Sequence, residues 1–107
     1  MKPPIIVEES GDVSIYGTVG DAELDLEPID VREGRFVAYD SEGHLLELCP
    51  TEPRVTIKDI EPAPLRLMEV REALVGLLSS LGHPSEELSQ EPLERLIERS
   101  MAYKTSY

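Results

Sequence analysis

The chain has 107 residues, 40% of them hydrophobic, and its 22 acidic and 10 basic side chains give a formal net charge of −12. The length predicts one domain with a modest core, and the negative charge disfavours binding to nucleic acid or to an anionic membrane surface. With no signal-peptide core and no apolar stretch near the ~20 residues of a membrane span, we expect a cytoplasmic protein.

The first elements are two β-branched runs, 5–7 and 13–16, on either side of a polar turn that contains Gly11. This pattern is typical of a β-hairpin. Segment 18–29 is ambiguous, because its apolar residues fit both strand alternation and one helical face. A short helix is favoured, since Thr18 and Asp21 have the spacing of an N-terminal cap. Its inner face would comprise Val19, Ala22, Leu26 and Ile29.

A second hairpin is predicted from runs 35–40 and 44–49, because Gly43 between them can take the positive φ of a tight turn. Residues 54–58 alternate polar and apolar side chains as a further strand would. Pro50 and Pro53 suit the connection before that strand, since proline cannot donate to a ladder.

Helical spacing begins at Pro64 and predicts one long helix that stops at Gly82, followed by a second helix over 89–102. The fold class is therefore α+β. It comprises an antiparallel sheet of four to five strands, a short helix in the N-terminal half, and two C-terminal helices packed on one face. One domain would span 1–107, with strands and the short helix in 1–61 and the helical pair in 64–103.

Residue types for catalysis or metal binding are sparse. Cys49 is the single cysteine, and it forms no recognisable motif with His44 or His83. Residues 40–43 resemble the start of a calcium loop, but later ligand positions fall on Leu46 and Leu48. We therefore expect no catalytic residue, metal or cofactor, and we do not expect an enzyme.

The acidic charge is concentrated in the first part of the chain. Residues 1–64 hold 15 acidic and 5 basic side chains, for a net −10, whereas residues 65–107 hold 7 and 5, for a net −2. Such a surface would attract a basic partner and speed the encounter, although acidity also serves solubility alone. The candidate partner-binding residues are Asp21, Glu23, Asp25, Glu27, Asp30, Asp40 and Glu42.

Segments 12–16, 22–23, 26–31 and 39–46, about the first half of the chain, resemble a pattern found in small bacterial immunity proteins of polymorphic and contact-dependent toxin systems. The resemblance implies a protein that blocks a basic toxin domain, such as a nuclease, by covering its substrate groove. Two alternatives stay open. One is an assembly protein that self-associates through an exposed sheet face or residues 101–103, and the other is a small ligand-binding domain. Monomer and homodimer are both open.

Overall fold

The computed structural model describes residues 1–105 and contains a five-stranded antiparallel sheet in the order β2-β1-β3-β4-β5. The elements in chain order are β1 (Ile5–Glu9), β2 (Asp12–Tyr16), α1 (Val19–Asp25), α2 (Pro28–Arg32), β3 (Val37–Tyr39), β4 (Leu45–Thr51), β5 (Arg54–Asp59), α3 (Leu67–Ser80), α4 (Ser85–Leu88) and α5 (Leu93–Thr105). The predicted α+β class is confirmed. No helix in the described part of the chain is both long and apolar enough to cross a membrane.

The three glycines predicted to form turns or to end a helix, Gly11, Gly43 and Gly82, have the expected positive φ. Ser10 and Gly11 both have positive φ between β1 and β2, as a tight hairpin turn requires. Gly43 has a φ of 86°, and a Cβ there would lie 2.6 Å from the side chain of Leu67. Gly82, with a φ of 95°, follows the end of α3. Glycine adopts a positive φ without steric cost, so a glycine between two predicted elements indicates such a turn in the sequence.

The C-terminal helices pack on one face of the sheet, as predicted, and α1 and α2 lie on the other face. Successive strand residues point to opposite faces, so Ile5 and Val7 contact one hydrophobic cluster and Ile6 contacts another. The first cluster includes the buried residues of α1, and the second includes those of α3, α4 and α5.

The C-terminal helices pack mainly as the spacing predicts. In α3, Val70, Leu74 and Leu78 are buried, and in α5 Leu96 and Ser100 are buried. The predicted start of the second helix at residue 89 is wrong, because α5 begins only after Pro92. Residues 85–88 form the separate helix α4. Proline has no N–H to continue a helix from the preceding turn, but it is accommodated where a helix begins.

Two further boundaries differ from the sequence prediction. Segment 18–29 forms two helices instead of one, because the chain is extended at Leu26 and Glu27 before α2 starts at Pro28. Strand β4 continues through Pro50, which pairs with Val55 of β5. Strand β3 pairs only with Leu45 and Leu46, so no neighbour on that side needs an N–H from Pro50.

Candidate functional site

The seven candidate carboxylates divide between two parts of the fold. The first group comprises Asp21, Glu23 and Asp25 on α1, Glu27 at the N-cap of α2 and Asp30 in the first turn of α2. The second group, Asp40 and Glu42, lies in the turn between β3 and β4. The first group sits over the sheet face covered by the first hydrophobic cluster. The second group borders a pocket beside the N-terminus.

Helix α1 is fixed on the sheet by both apolar and polar contacts. Thr18 caps the helix by accepting the N–H of Asp21 at 3.0 Å, as predicted. Ala22 and Leu26 are buried one helical turn apart and face the sheet. Since residues two positions away point to the opposite side of a helix, Leu24 projects outward.

Two of the candidate carboxylates hold α1 between the outer strands. A carboxylate oxygen of Glu23 accepts the N–H of Ile57 in β5 at 2.8 Å. Strand β5 is at the edge of the sheet, where N–H groups lack a strand partner. Asp25 accepts the hydroxyl of Tyr16 in β2, at the other edge, at 2.5 Å. The side chains of Glu23 and Asp25 therefore link α1 to both edges of the sheet.

The phenol of Tyr16 is buried by this arrangement. Burial in the first hydrophobic cluster and the hydrogen bond to the Asp25 carboxylate raise the pKa of Tyr16 to about 12. Both factors disfavour the phenolate, the first by loss of hydration and the second by loss of the donated proton. The Tyr16 hydroxyl therefore stays a donor to Asp25 throughout the neutral pH range.

The basic side chains nearest in sequence to this acidic segment are engaged within the chain. Arg32 of α2 forms an ion pair with Glu52. Arg35 lies 2.7 Å from a carboxylate oxygen of Glu33 and 3.7 Å from one of Asp30. The carboxylates of Asp21 and Glu27, in contrast, are exposed and belong to none of the ion pairs found in residues 1–105.

Two large apolar side chains are exposed beside these carboxylates. Leu24 of α1 is 64% exposed and Ile29 of α2 is 60% exposed. The prediction that Ile29 lies on the inner helical face is wrong, because the chain is extended before Pro28 and α2 starts with a new helical phase. Pro28 is buried and Val31 packs on the core instead. We call the exposed set of Asp21, Leu24, Glu27 and Ile29 the α1–α2 surface.

Asp40 does not belong to any exposed acidic surface. The residue is 2% exposed, and its carboxylate accepts the N–H groups of Lys2, Glu42 and His44 at 3.3, 2.9 and 2.9 Å. Burial alone would raise the pKa of Asp40, but these hydrogen bonds and the His44 ring outweigh it and the pKa is lowered. The carboxylate of Asp40 therefore organises the turn and is not exposed to solvent.

Glu42 remains exposed in the same turn. Among the described residues, Asp40, Glu42 and His44 form the one group of three with metal-ligand atoms all within 4.8 Å of one another. They line a pocket of about 400 Å³ together with Met1 and Asp59. Asp40 Oδ2 already accepts from Lys2 and lies 3.2 Å from His44 Nδ1. The hydrogen bonds of the turn account for this grouping.

Comparisons of the chain with models of protein families, with curated proteins and with solved structures find no match. The function of the protein is therefore inferred from the chemistry of its own surface. On the α1–α2 surface, exposed carboxylates and exposed aliphatic side chains occur together on a segment that is fixed to the sheet. Sequence periodicity missed Leu24 and Ile29, although Leu24 could have been found from its position two residues from both Ala22 and Leu26.

Proposed function

We propose that the chain is a non-catalytic protein-binding module that uses the α1–α2 surface to bind a basic protein and inhibits that protein by covering its working face. The observation that carries this proposal is the exposure of Leu24 and Ile29 on the same helices as Asp21 and Glu27, carboxylates that have no basic partner among the side chains described, those of residues 1–103. Apolar exposure gives a partner area to bury, and the carboxylates select a partner of opposite charge.

The charge of the chain supports a basic partner. Arg32 and Arg35 pair with other carboxylates of the chain, and residues 1–64 have 15 acidic and 5 basic side chains, which leaves a net charge of −10. An acidic surface raises the association rate with a positively charged protein and repels polyanions. A toxin domain with a basic substrate groove, such as a nuclease, is the kind of target that such a surface fits. The immunity-type role implied by the sequence resemblance is compatible with this chemistry.

The proposal is tested by affinity capture from a lysate of the native cell at low salt. Wild type is compared with the double variant Asp21→Lys/Glu27→Lys and with the matched control Glu87→Lys/Glu94→Lys. All four substitutions fall on exposed acidic residues, and each pair changes the net charge equally. We expect a basic protein to be retained by wild type and by the control, and to be lost by the Asp21→Lys/Glu27→Lys variant.

The retained protein is then purified and its own activity is measured with and without the module. Inhibition in a one-to-one ratio, weakened as salt increases, is expected for occlusion by an acidic surface. Equal capture by all three forms would show that the α1–α2 surface is not the binding site. Capture without any loss of the target's activity would remove the inhibitory role and leave only binding.

A further inference from the structure

We infer that Leu24 and Ile29 are the anchors of the complex, and that the partner's face is an apolar depression ringed by Lys and Arg side chains. This inference rests on the proposed function and specifies how its surface works. The ring of basic residues follows from charge complementarity with Asp21 and Glu27. The apolar centre follows from the two exposed aliphatic side chains.

Neither anchor has a structural role that explains its exposure. Leu24 and Ile29 are more than half exposed and lie outside both hydrophobic clusters of the fold. The remainder of their segment is rich in acidic residues that face water. Burial of such aliphatic side chains in a partner supplies affinity that exposed ion pairs supply only weakly, because water and salt screen the latter.

The position of Leu24 is preorganised by its two neighbours. Glu23 is hydrogen bonded to the backbone of β5 and Asp25 to the Tyr16 hydroxyl of β2. With both adjacent side chains attached to opposite edges of the sheet, α1 cannot rotate about its axis without breaking one of these bonds. Leu24 is therefore held outward before the partner arrives, which lowers the conformational entropy that binding would otherwise cost.

Ile29 is held in a comparable way by α2. Pro28 is buried against the sheet and Val31 packs against the first hydrophobic cluster. The ion pair between Arg32 and Glu52 joins the end of α2 to the turn between β4 and β5. Both anchors thus project from helices whose other sides are fixed to the sheet, so each side chain has a set direction before a partner binds.

Charge distinguishes this surface from the other exposed large apolar side chains, of which Leu65, Leu67 and Met68 lie in or just before α3. Met68 on α3 is 72% exposed, but Arg71 and Glu72 beside it carry opposite charges. These opposite charges give no preference for a partner of either net charge. Met68 therefore provides a matched control, since its truncation removes exposed apolar area from the opposite helical layer.

The test measures association and dissociation rates for the basic protein retained in the capture experiment, using Leu24→Ala, Ile29→Ala, Met68→Ala and Asp21→Asn/Glu27→Gln. Each anchor variant is expected to weaken affinity about tenfold, mainly by faster dissociation, as truncated hot-spot residues do. The neutralised carboxylate variant is expected to bind a few-fold more weakly, mainly by slower association that no longer depends strongly on salt. Met68→Ala is expected to bind as wild type.

The outcomes separate this inference from the function on which it rests. If the carboxylate variant weakens binding while Leu24→Ala and Ile29→Ala stay within twofold of wild type, the contact is electrostatic and the anchor inference is overturned, with the proposed function intact. If no variant weakens binding, if only Met68→Ala does, or if no basic protein is retained, both are overturned. Circular dichroism of each variant checks that the helices persist, and Leu24→Met is expected to restore most of the affinity lost in Leu24→Ala.

Discussion

The two helical layers of this protein are held to the same sheet by different forces. The layer of α3, α4 and α5 buries Leu74, Leu78, Leu88 and Leu96 completely. The layer of α1 and α2 consists of helices of only 7 and 5 residues. Each helix has one buried residue, Ala22 in α1 and Pro28 in α2. Helices this short are not stable by themselves in water.

The short-helix layer compensates with directed polar contacts. Thr18 caps α1, Glu23 accepts an N–H from β5, and Asp25 accepts the hydroxyl of Tyr16. Acidic side chains that are neighbours in sequence therefore differ in their contacts. Glu23 and Asp25 form hydrogen bonds to the sheet, whereas Asp21 and Glu27 are exposed to solvent.

The largest effect is expected from truncation in the long-helix layer. Leu74→Ala leaves a cavity at a fully buried site and should lower the free energy of unfolding by about 4 kcal/mol. Leu26→Ala, at the end of α1, should lower it by about 2 kcal/mol, because the short helix can shift to fill part of the space. Urea unfolding of both variants measures the difference. A larger loss for Leu26→Ala would contradict the view that apolar packing dominates the other layer.

Removal of the Glu23 carboxylate is expected to have the next largest effect. Glu23→Ala leaves the N–H of Ile57 without its acceptor at the sheet edge and should cost about 1 kcal/mol of stability. Glu23→Gln keeps an oxygen acceptor and should cost less than half of that. Hydrogen exchange of the Ile57 amide provides the local readout. Unchanged protection of this amide in Glu23→Ala would show that the carboxylate does not hold it.

The Tyr16–Asp25 hydrogen bond should contribute a similar amount at neutral pH and none in strong alkali. Tyr16→Phe is expected to cost about 1 kcal/mol at pH 7. The pKa of Tyr16 in the folded chain, about 12, is raised above its usual value of 10.0, so the phenol is protonated more readily when folded. Its contribution is therefore complete below pH 10 and is lost as the pH rises towards 12.

The pH dependence is measured as the difference in unfolding free energy between wild type and Tyr16→Phe, since this difference cancels the other tyrosines. The difference should be constant from neutral pH to about pH 10 and should shrink above it. A difference that is flat through pH 12 would mean that the phenol is not a donor to Asp25. Absorbance titration of the two proteins provides an independent value for the same group.

The smallest effect on stability is expected at the exposed carboxylates of the α1–α2 surface. Asp21→Asn and Glu27→Gln should each change the free energy of unfolding by less than about 0.5 kcal/mol, because neither side chain is buried or ion paired within the described residues. Thermal unfolding is sufficient to check this. A loss of unfolding free energy above 1 kcal/mol would mean that these side chains stabilise the fold, as Glu23 and Asp25 do.

Part of the fold could be predicted because its signals are local. The cap at Thr18 depends on a side chain three residues from the N–H that it accepts, and the turn at Gly43 depends on one backbone angle. The inner residues of α3 follow from spacing within a single helix. The break between α1 and α2 was missed, since Leu26 and Ile29 fit one continuous helical face until Pro28 begins a new helix.

Composition and local patterns were sufficient to predict the α+β class, the antiparallel hairpins, the amphipathic C-terminal helices and the excess of acidic residues in the first part of the chain. The sheet face that each helix covers and the contacts of each carboxylate became known from the folded chain alone. The reason is that a helical period fixes the direction of a side chain around its own axis, while its neighbour in that direction comes from distant strands. Glu23 accepts an N–H from Ile57, Asp25 accepts the hydroxyl of Tyr16, and Asp40 accepts the N–H of Lys2, a residue far away in the sequence.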